Sequence, residues 1–263
     1  MDAMNVQKPH WEELSENWQR EQPQTLWRRH CDAVNLAMLQ KWWPDKKADT
    51  VLKTDLFDEV FGQGLYPFTQ KKESKLSGID LSESIVSAAR KRCPELLATV
   101  TDVRRLPFGD DSCDLIISNS TLDHFESISD ITVSLRELYR VLKPGGQLLL
   151  TLDNLCNPLI ALRRALPYRL LKSIGVLPYY VGATYGPRGL CREVRQTGFK
   201  IVETTSIMHC PRVVAVSAAG LLQRHAGQRT QQRFLRGLMA FEKLANLPTR
   251  YISGHFVAVR AEK

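Results

Sequence analysis

Short, nearly unbroken apolar runs recur along the chain, and each ends on a small or acidic residue. Ser77-Gly78-Ile79 ends on Asp80, Leu115-Ile116-Ile117 on Ser118-Asn119, and Leu148 to Leu152 on Asp153. Runs of this kind read as strands buried on both faces. Strands are expected at Val51–Phe57, Lys75–Asp80, Leu97–Thr101, Cys113–Ser118, Gln147–Leu152, Lys200–Ile207 and Tyr251–Arg260. The segments between them have helical spacing. Leu135, Leu138, Val141 and Leu142 share one face of a helix over Ile131–Leu142, which Lys143-Pro144-Gly145-Gly146 stops. Ser82 caps a helix from Glu83 to Arg92, and another helix is expected from about Gly64 to Lys72. Alternating strands and helices predict an α/β fold with a doubly wound, mostly parallel sheet.

Two parts of the pattern stand outside this alternation. Residues 10–41 read as one or two Trp-rich helices, ended by Pro44 and the polar run Asp45-Lys46-Lys47. They form an N-terminal helical lid over residues 1–48, with the α/β domain occupying 49–263. Helical insertions at about 154–186 and 213–248 interrupt the end of the sheet, with a helix from Arg188 to Gly198 between them.

Charge divides the chain at the first insertion. Residues 1–154 hold 19 Lys+Arg and 24 Asp+Glu, a balance of −5; residues 155–263 hold 17 and four, a balance of +13. A basic C-terminal part suits an anionic surface or substrate. Within it, Arg229 to Ala245 has Phe234, Leu238 and Phe241 on one side and Arg229, Arg233 and Arg236 on the other, as in helices that lie at membrane surfaces. Peripheral membrane contact is therefore one expectation, and a helix packed on its own domain is the other. No recognised nucleic-acid module accompanies the charge, so no nucleic-acid partner is expected. No apolar run approaches the ~20 residues that span a bilayer. The start, MDAMNVQKPHWEEL, lacks the apolar segment of a signal peptide, which reads as a cytoplasmic protein. The six cysteines are scattered without a CxxC pair, so no metal site is expected.

In a parallel sheet the strand ends lie side by side, and ligands bind in the crevice outside them. Asp80 at one tip is placed to accept from ribose hydroxyls, and Asp102 after the next strand to read an adenine amino group. Asp58-Glu59-Val60-Phe61-Gly62-Gln63-Gly64 precedes them, and Asp80 follows Asp58 by 22 positions. Leu106-Pro107-Phe108 leads into the fourth strand, and Pro144-Gly145-Gly146 precedes the fifth.

Over residues 50–153 this order of motifs resembles the class I S-adenosylmethionine-dependent methyltransferases, in their small-molecule branch. The family's first loop reads acid-x-Gly-x-Gly-x-Gly. Asp58, Gly62 and Gly64 fall on it, Val60 stands in place of the first Gly, and Asp55 is a rival for the acid. The resemblance implies a seven-stranded Rossmann-like sheet, S-adenosyl-L-methionine as cofactor, and a site built from Asp58, Gly62, Gly64, Asp80, Leu81, Asp102, Val103 and Asn119. It assigns Asp80 to the ribose, Asp102 and the Val103 amide to adenine, and the strand end at Asn119 to the side facing the transferred methyl. The implied reaction is in-line methyl transfer to a small or lipid-like acceptor. His124 is the first candidate base and His30 the second, with Asp32 and Asn35 watched on the lid beside His30. Two alternatives are a non-catalytic relative with a weakened cofactor loop and a nicotinamide-dependent oxidoreductase. The latter's G-x-G-x-x-G fails here at Pro67.

Overall fold

The computed structural model describes residues 12, 13, 16, 18, 24–166 and 182–263. Seven strands form one sheet in the order β3-β2-β1-β4-β5-β7-β6. They are β1 (Thr50–Lys53), β2 (Lys75–Asp80), β3 (Leu97–Val100), β4 (Cys113–Asn119), β5 (Leu142–Asp153), β6 (Lys200–Ile207) and β7 (Phe256–Glu262). β1 to β5 pair in parallel, and β7 runs antiparallel to β5 and β6. The chain leaves β1 in one direction toward β2 and β3 and later returns to β4 and β5 on its other side. The carboxyl ends of β1 and β4 thus flank a topological switch point.

The central strands divide their side chains between two apolar clusters, as period-2 alternation requires. Leu115, Ile117 and Leu149 enter one, and Ile116, Leu148, Leu150 and Leu152 the other. Helix α1 (Thr25–Trp42), helices α2 (Phe57–Phe61) and α3 (Tyr66–Lys71), and α4 (Glu83–Arg92) cover the first face. Helix α5 (Ile128–Val141) covers the second with Ile131, Leu135 and Leu138, a one-face spacing. Helix α6 (Pro158–Ala165) follows β5 and α7 (Pro187–Gln196) precedes β6. Helices α8 (Arg212–His225), α9 (Gln228–Ala240) and α10 (Arg250–Ser253) lie between β6 and β7.

The expected elements are present with some shifts of boundary. β2, α4 and β6 have the expected limits. β1 ends at Lys53 rather than Phe57, because the chain turns at Thr54–Leu56 and coils into α2. β5 begins at Leu142, so Pro144-Gly145-Gly146 lies inside the strand, where the β4 register shifts and Gly145 takes φ 75°. The long helical region after Val213 is broken by extended backbone at Ala226 and Gly227. The helix expected over 157–173 is seen to Ala165, and its remainder and most of 174–186 lie outside the described residues.

The apolar side of the basic helix α9 packs against the protein itself. Leu238 is buried, and Phe234, Leu235 and Met239 pack into the cluster that holds Leu26, Trp27, Met38 and Trp42 of α1. Phe241, at its end, is 40% exposed. No described helix is long and apolar enough to cross a membrane.

Candidate functional site

A cleft of about 220 Å³ opens at the carboxyl edge of the sheet. The ends of β2, β1, β4 and β5 contribute Asp80, Thr54, Asn119 and Asp153 to it. Parallel pairing sets these ends in one row: Asp80 lies opposite Val100, and Asn119 opposite Thr151. Asp80 Oδ2 accepts from the Leu56 amide at 3.1 Å and Oδ1 from the Ser82 amide at 2.9 Å. Burial raises the Asp80 pKa, and the two amide bonds and the Lys53 charge work against that rise. Carboxylate oxygens offer about four lone-pair sites, so acceptor capacity remains toward the cleft.

The turn after β1 departs from the expected glycine loop. Gly62 and Gly64 do not line the cleft; Asp55, Phe57 and Asp58 do. The cause is the early end of β1, which puts the two glycines beyond α2. Their roles there are steric. A Cβ on Gly62 would come within 2.5 Å of the Asp32 carboxylate, and Gly64 sits at φ +62° with Glu59 Oε1 2.6 Å from where a Cβ would lie. Val60 is helical and half-buried, so the absence of a glycine there imposes no strain.

A buried ion cluster shapes the turn instead. Lys53 is fully buried, with Nζ 2.8 Å from Glu59 Oε2 and donating to the Asp55 carbonyl at 2.8 Å and to Asp55 Oδ2 at 3.1 Å. Glu59 Oε1 accepts from the Leu65 amide at 2.9 Å. The cluster therefore ties β1 to α2 and to the segment leading into α3. Burial pushes the Asp55 carboxyl up to about 7, against the pull of Lys53, with Asp58, Glu59 and Asp80 adding to the rise. The sequence offered this cluster only as Asp55, a rival acid.

Asp102 and Val103 line the cleft beside Leu81, as the sequence indicates. The Asp102 carboxylate is committed, however. Oδ1 accepts from the Arg104 amide at 2.8 Å, and Oδ2 from Arg104 Nε at 3.0 Å and Nη2 at 2.6 Å. Arg104 also donates to Asp130 at 2.9 Å and lies 4.8 Å over the Phe125 ring. An adenine amino group reading Asp102 must share an oxygen with this guanidinium. Asn119 is 92% buried from solvent, being 8% exposed, and neither its Oδ1 nor its Nδ2 has a hydrogen-bond partner among the described residues. A buried amide that faces a cleft unpaired is a place for a ligand's polar atoms.

The two candidate bases separate. His124, on a 3₁₀ turn over Leu122–His124, lines the cleft. His30 does not. It is fully buried on α1 against Trp27, with Nε2 3.4 Å from Cys210 Sγ, and burial lowers its pKa to about 4. Its place on the helix turns it into the core. Asp32 is likewise turned away, accepting from the Gln63 amide at 2.7 Å. Of the watched lid residues, Asn35 reaches the cleft. Arg28, one turn from Asp32 on α1, reaches it also, stacked 4.4 Å over Phe57 and 3.7 Å from Asp58.

The far end of the cleft holds a charged chain that the motifs did not mark. Asp153 closes β5, pairs with Arg163 of α6, and lies 3.3 Å from His255 Nε2. Arg212, the first residue of α8, has Nη1 in contact with the same His255 nitrogen. Burial, then the Arg212 charge, lowers the His255 pKa to about 4, so the ring is neutral at pH 7. Burial opposes ionisation of Asp153, but the His255 hydrogen bond and the Arg163 and Arg212 charges outweigh it and lower its pKa. Asp153 was readable in principle, since it ends an apolar run as Asp80 does.

Residues 59–150 match the methyltransferase domain family, a match that begins just past the β1 turn. That segment lies within a seven-stranded sheet of the Rossmann-like methyltransferase fold. The fold of the chain agrees with a Thermotoga maritima protein described as an S-adenosylmethionine-dependent methyltransferase and possible histamine N-methyltransferase. That pair has a TM-score of 0.59 at 19% identity, over 96% of this chain and 98% of the other. In sequence, 78 residues are 41% identical to malonyl-(acyl-carrier protein) O-methyltransferase 1 of Coxiella burnetii, covering 30% of this chain and 25% of that one. Another 79-residue match, 35% identical, is to a tRNA (carboxymethyluridine(34)-5-O)-methyltransferase of Mus musculus, covering 30% of this chain and 12% of that one. The shared segment of this domain is thus a small part of either relative.

Proposed function

We propose that this methyltransferase domain moves a methyl group from S-adenosylmethionine to a small or lipid-like acceptor. One observation carries the reading: Asp80, Asp102 and the unpaired Asn119 sit on neighbouring strand ends around one cleft. The residues present fit the cofactor. Asp80 keeps acceptor sites that would take two ribose hydroxyls, Leu81 and Val103 would hold an adenine ring, and Asn119 would offer an unsatisfied amide. Asp58, and Asp55 when ionised, would set negative charge toward the cofactor's ammonium and sulfonium. This last role belongs to Asp55 and Asp58 rather than to the glycines.

When bound, the cofactor supplies an electrophilic methyl on a sulfonium sulfur, and that sulfur keeps the electron pair of the carbon–sulfur bond that breaks. The protein's own part is alignment and exclusion of water, a contribution that reaches about 7–11 kcal/mol for well-aligned reactants. Trp27, Phe125, Met208 and Phe256 give the cleft an apolar wall, and α1 lies across it. A cleft of this volume with an apolar wall suits a small molecule better than a polynucleotide. His124 takes the proton of an acceptor that is still protonated when it attacks.

A second reading has one specific observation behind it. The β1 turn has no glycine, and its backbone is held by Lys53, Asp55 and Glu59, which fits a relative whose cofactor affinity is weak. Calorimetric titration with S-adenosylhomocysteine separates the two: measurable affinity supports the enzyme, and none supports the non-catalytic relative. Labelled S-adenosylmethionine incubated with organic-soluble, water-soluble and RNA fractions of cells then tests the acceptor class. Label in the first two supports the proposal, and label in RNA overturns it.

A further inference from the structure

We propose that the face around α6, at the carboxyl edge of the sheet, docks on an anionic phospholipid leaflet. The docking does not depend on the methyl-transfer reading of the cleft.

Helix α6 is apolar on two sides. Ile160 is buried, while Leu155, Leu159, Leu162 and Leu166 follow one another at helical spacing and are exposed. Val213 and Val214 at the start of α8 and Ile252 in α10 are exposed too. With Leu159 and Leu162 they are each 56–67% open to solvent. Single exposed apolar residues are ordinary, but a row of them on one helix with more on adjoining helices marks an interaction surface.

These elements share one end of the molecule. α6 follows the carboxyl end of β5 and α8 that of β6. α10 leads into β7, which runs antiparallel to both strands and so starts at the same edge. Hydrogen bonds join the three helices. Asn157 Nδ2, at the start of α6, donates to the Gly254 carbonyl just after α10 at 3.2 Å. The His209 ring, three residues before α8, has Nδ1 2.8 Å from Ser253 Oγ of α10. The cleft opens at this edge, and Asp153, which lines it, pairs with Arg163 of α6.

Charge selects the occupant. Residues 154–166, 208–225 and 247–256 hold five arginines and no Asp or Glu. Arg164, between Leu162 and Leu166 in the chain, and Arg224, at the far end of α8, are exposed. Arg164 donates to the Gly182 carbonyl, which leaves its charge unneutralised. A second copy docked through the same face would set arginine against arginine with no carboxylate from these segments between them. An anionic leaflet supplies headgroups for the arginines and a hydrocarbon boundary for the leucines, the two needs of an interfacial helix. A lipid-like acceptor would then meet the cleft at its mouth, a consequence that does rest on the methyl-transfer reading.

The test floats the full chain with vesicles of phosphatidylcholine alone and of phosphatidylcholine mixed with phosphatidylglycerol, at low and high salt. Wild type is expected to bind the mixed vesicles about tenfold more tightly than the neutral ones, and to lose much of that preference at high salt. Leu159→Gln/Leu162→Gln and, separately, Val213→Gln/Val214→Gln are each expected to lose about fivefold or more in binding. Arg229→Gln/Arg233→Gln on α9 is expected to lose less than either. The substituted positions are exposed, so urea midpoints should stay at the wild-type value. Hydrogen exchange on wild type needs no variant: amides over 155–166 are expected to exchange more slowly on mixed vesicles than in solution. Wild type that does not bind mixed vesicles, equal binding to neutral and mixed vesicles, or unchanged exchange over 155–166 overturns the proposal. Folded α6 variants that bind as wild type does, or a larger loss from the α9 pair than from the α6 pair, also overturn it. So does a dimer in sedimentation that Leu159→Gln/Leu162→Gln dissociates, which assigns the face to a second copy. None of these readouts involves S-adenosylhomocysteine, so failure of the methyl-transfer reading leaves the docking result standing.

Discussion

Replacing Lys53 with methionine tests whether a buried ion cluster, rather than glycine, holds the turn that borders the cleft. The ammonium is fully buried, as is Glu59, and the Asp55 side chain is 21% exposed. Its removal leaves Glu59 and Asp55 without their cation. Breaking a buried pair from one side costs about 3–5 kcal/mol, and the partial exposure of Asp55 favours the lower end, about 3 kcal/mol. The loss depends on pH in a fixed direction. The folded pKa of Asp55 is already about 7, above the ordinary carboxylate value. Between that ordinary value and 7 the folded state holds a proton that the unfolded state has released, so this group weakens stability as pH rises through the window. Without Lys53 the carboxyl of Asp55 takes up its proton at still higher pH. Urea unfolding of Lys53→Met should therefore show a larger loss at pH 8 than at pH 5. Adding Glu59→Gln, which keeps an acceptor for the Leu65 amide, should restore part of it. A loss under about 1 kcal/mol, or one that is equal at both pH values, would refute the argument that this cluster carries the turn.

Two further outcomes follow from the same geometry. Gly64→Ala forces a Cβ into a left-handed backbone position against Glu59, and should cost about 1–2 kcal/mol of stability by urea unfolding. Its effect on S-adenosylhomocysteine affinity should be less than tenfold, since Gly64 does not line the cleft; a loss of binding without a loss of stability would return it to the cofactor loop. His30 and His255, both lowered to about 4, bind fewer protons folded than unfolded below pH 6.5. Stability should thus fall as pH drops from 6.5 toward 4, by up to about 3 kcal/mol for each ring. His30→Leu should remove about one proton from that slope in urea titrations at pH 7, 5.5 and 4.5, and an unchanged slope would show that His30 titrates normally.

The sequence made the sheet legible because its strands are buried on both faces. The runs ending at Asp80, Asn119 and Asp153 are nearly unbroken in apolar residues, and their ends define the cleft edge. Asp80, Leu81, Asp102, Val103, Asn119 and His124 line the cleft because they sit at or just after those ends. Gly62 and Gly64 lie outside the cleft lining, and an apolar pattern does not show where a strand stops: Leu56 and Phe57 continue the run, yet the backbone has already turned. The Lys53 cluster was invisible because a lysine reads as surface until a buried partner is known. Arg28, Arg212 and Phe256 come from α1, α8 and β7, elements far apart in the chain, and no local spacing brings them together. His30 was attractive as a histidine on the covering helix, but helix rotation, fixed by the burial of Trp27 and Val34, turns it inward.

Calorimetric titration of S-adenosylhomocysteine into wild type and Asp80→Asn tests most directly that the cleft is an adenosine site. Wild type should bind, and the variant should bind about 1–3 kcal/mol more weakly, having lost a charged acceptor for the ribose. Equal affinities in the two proteins, or no binding to either, would contradict the account.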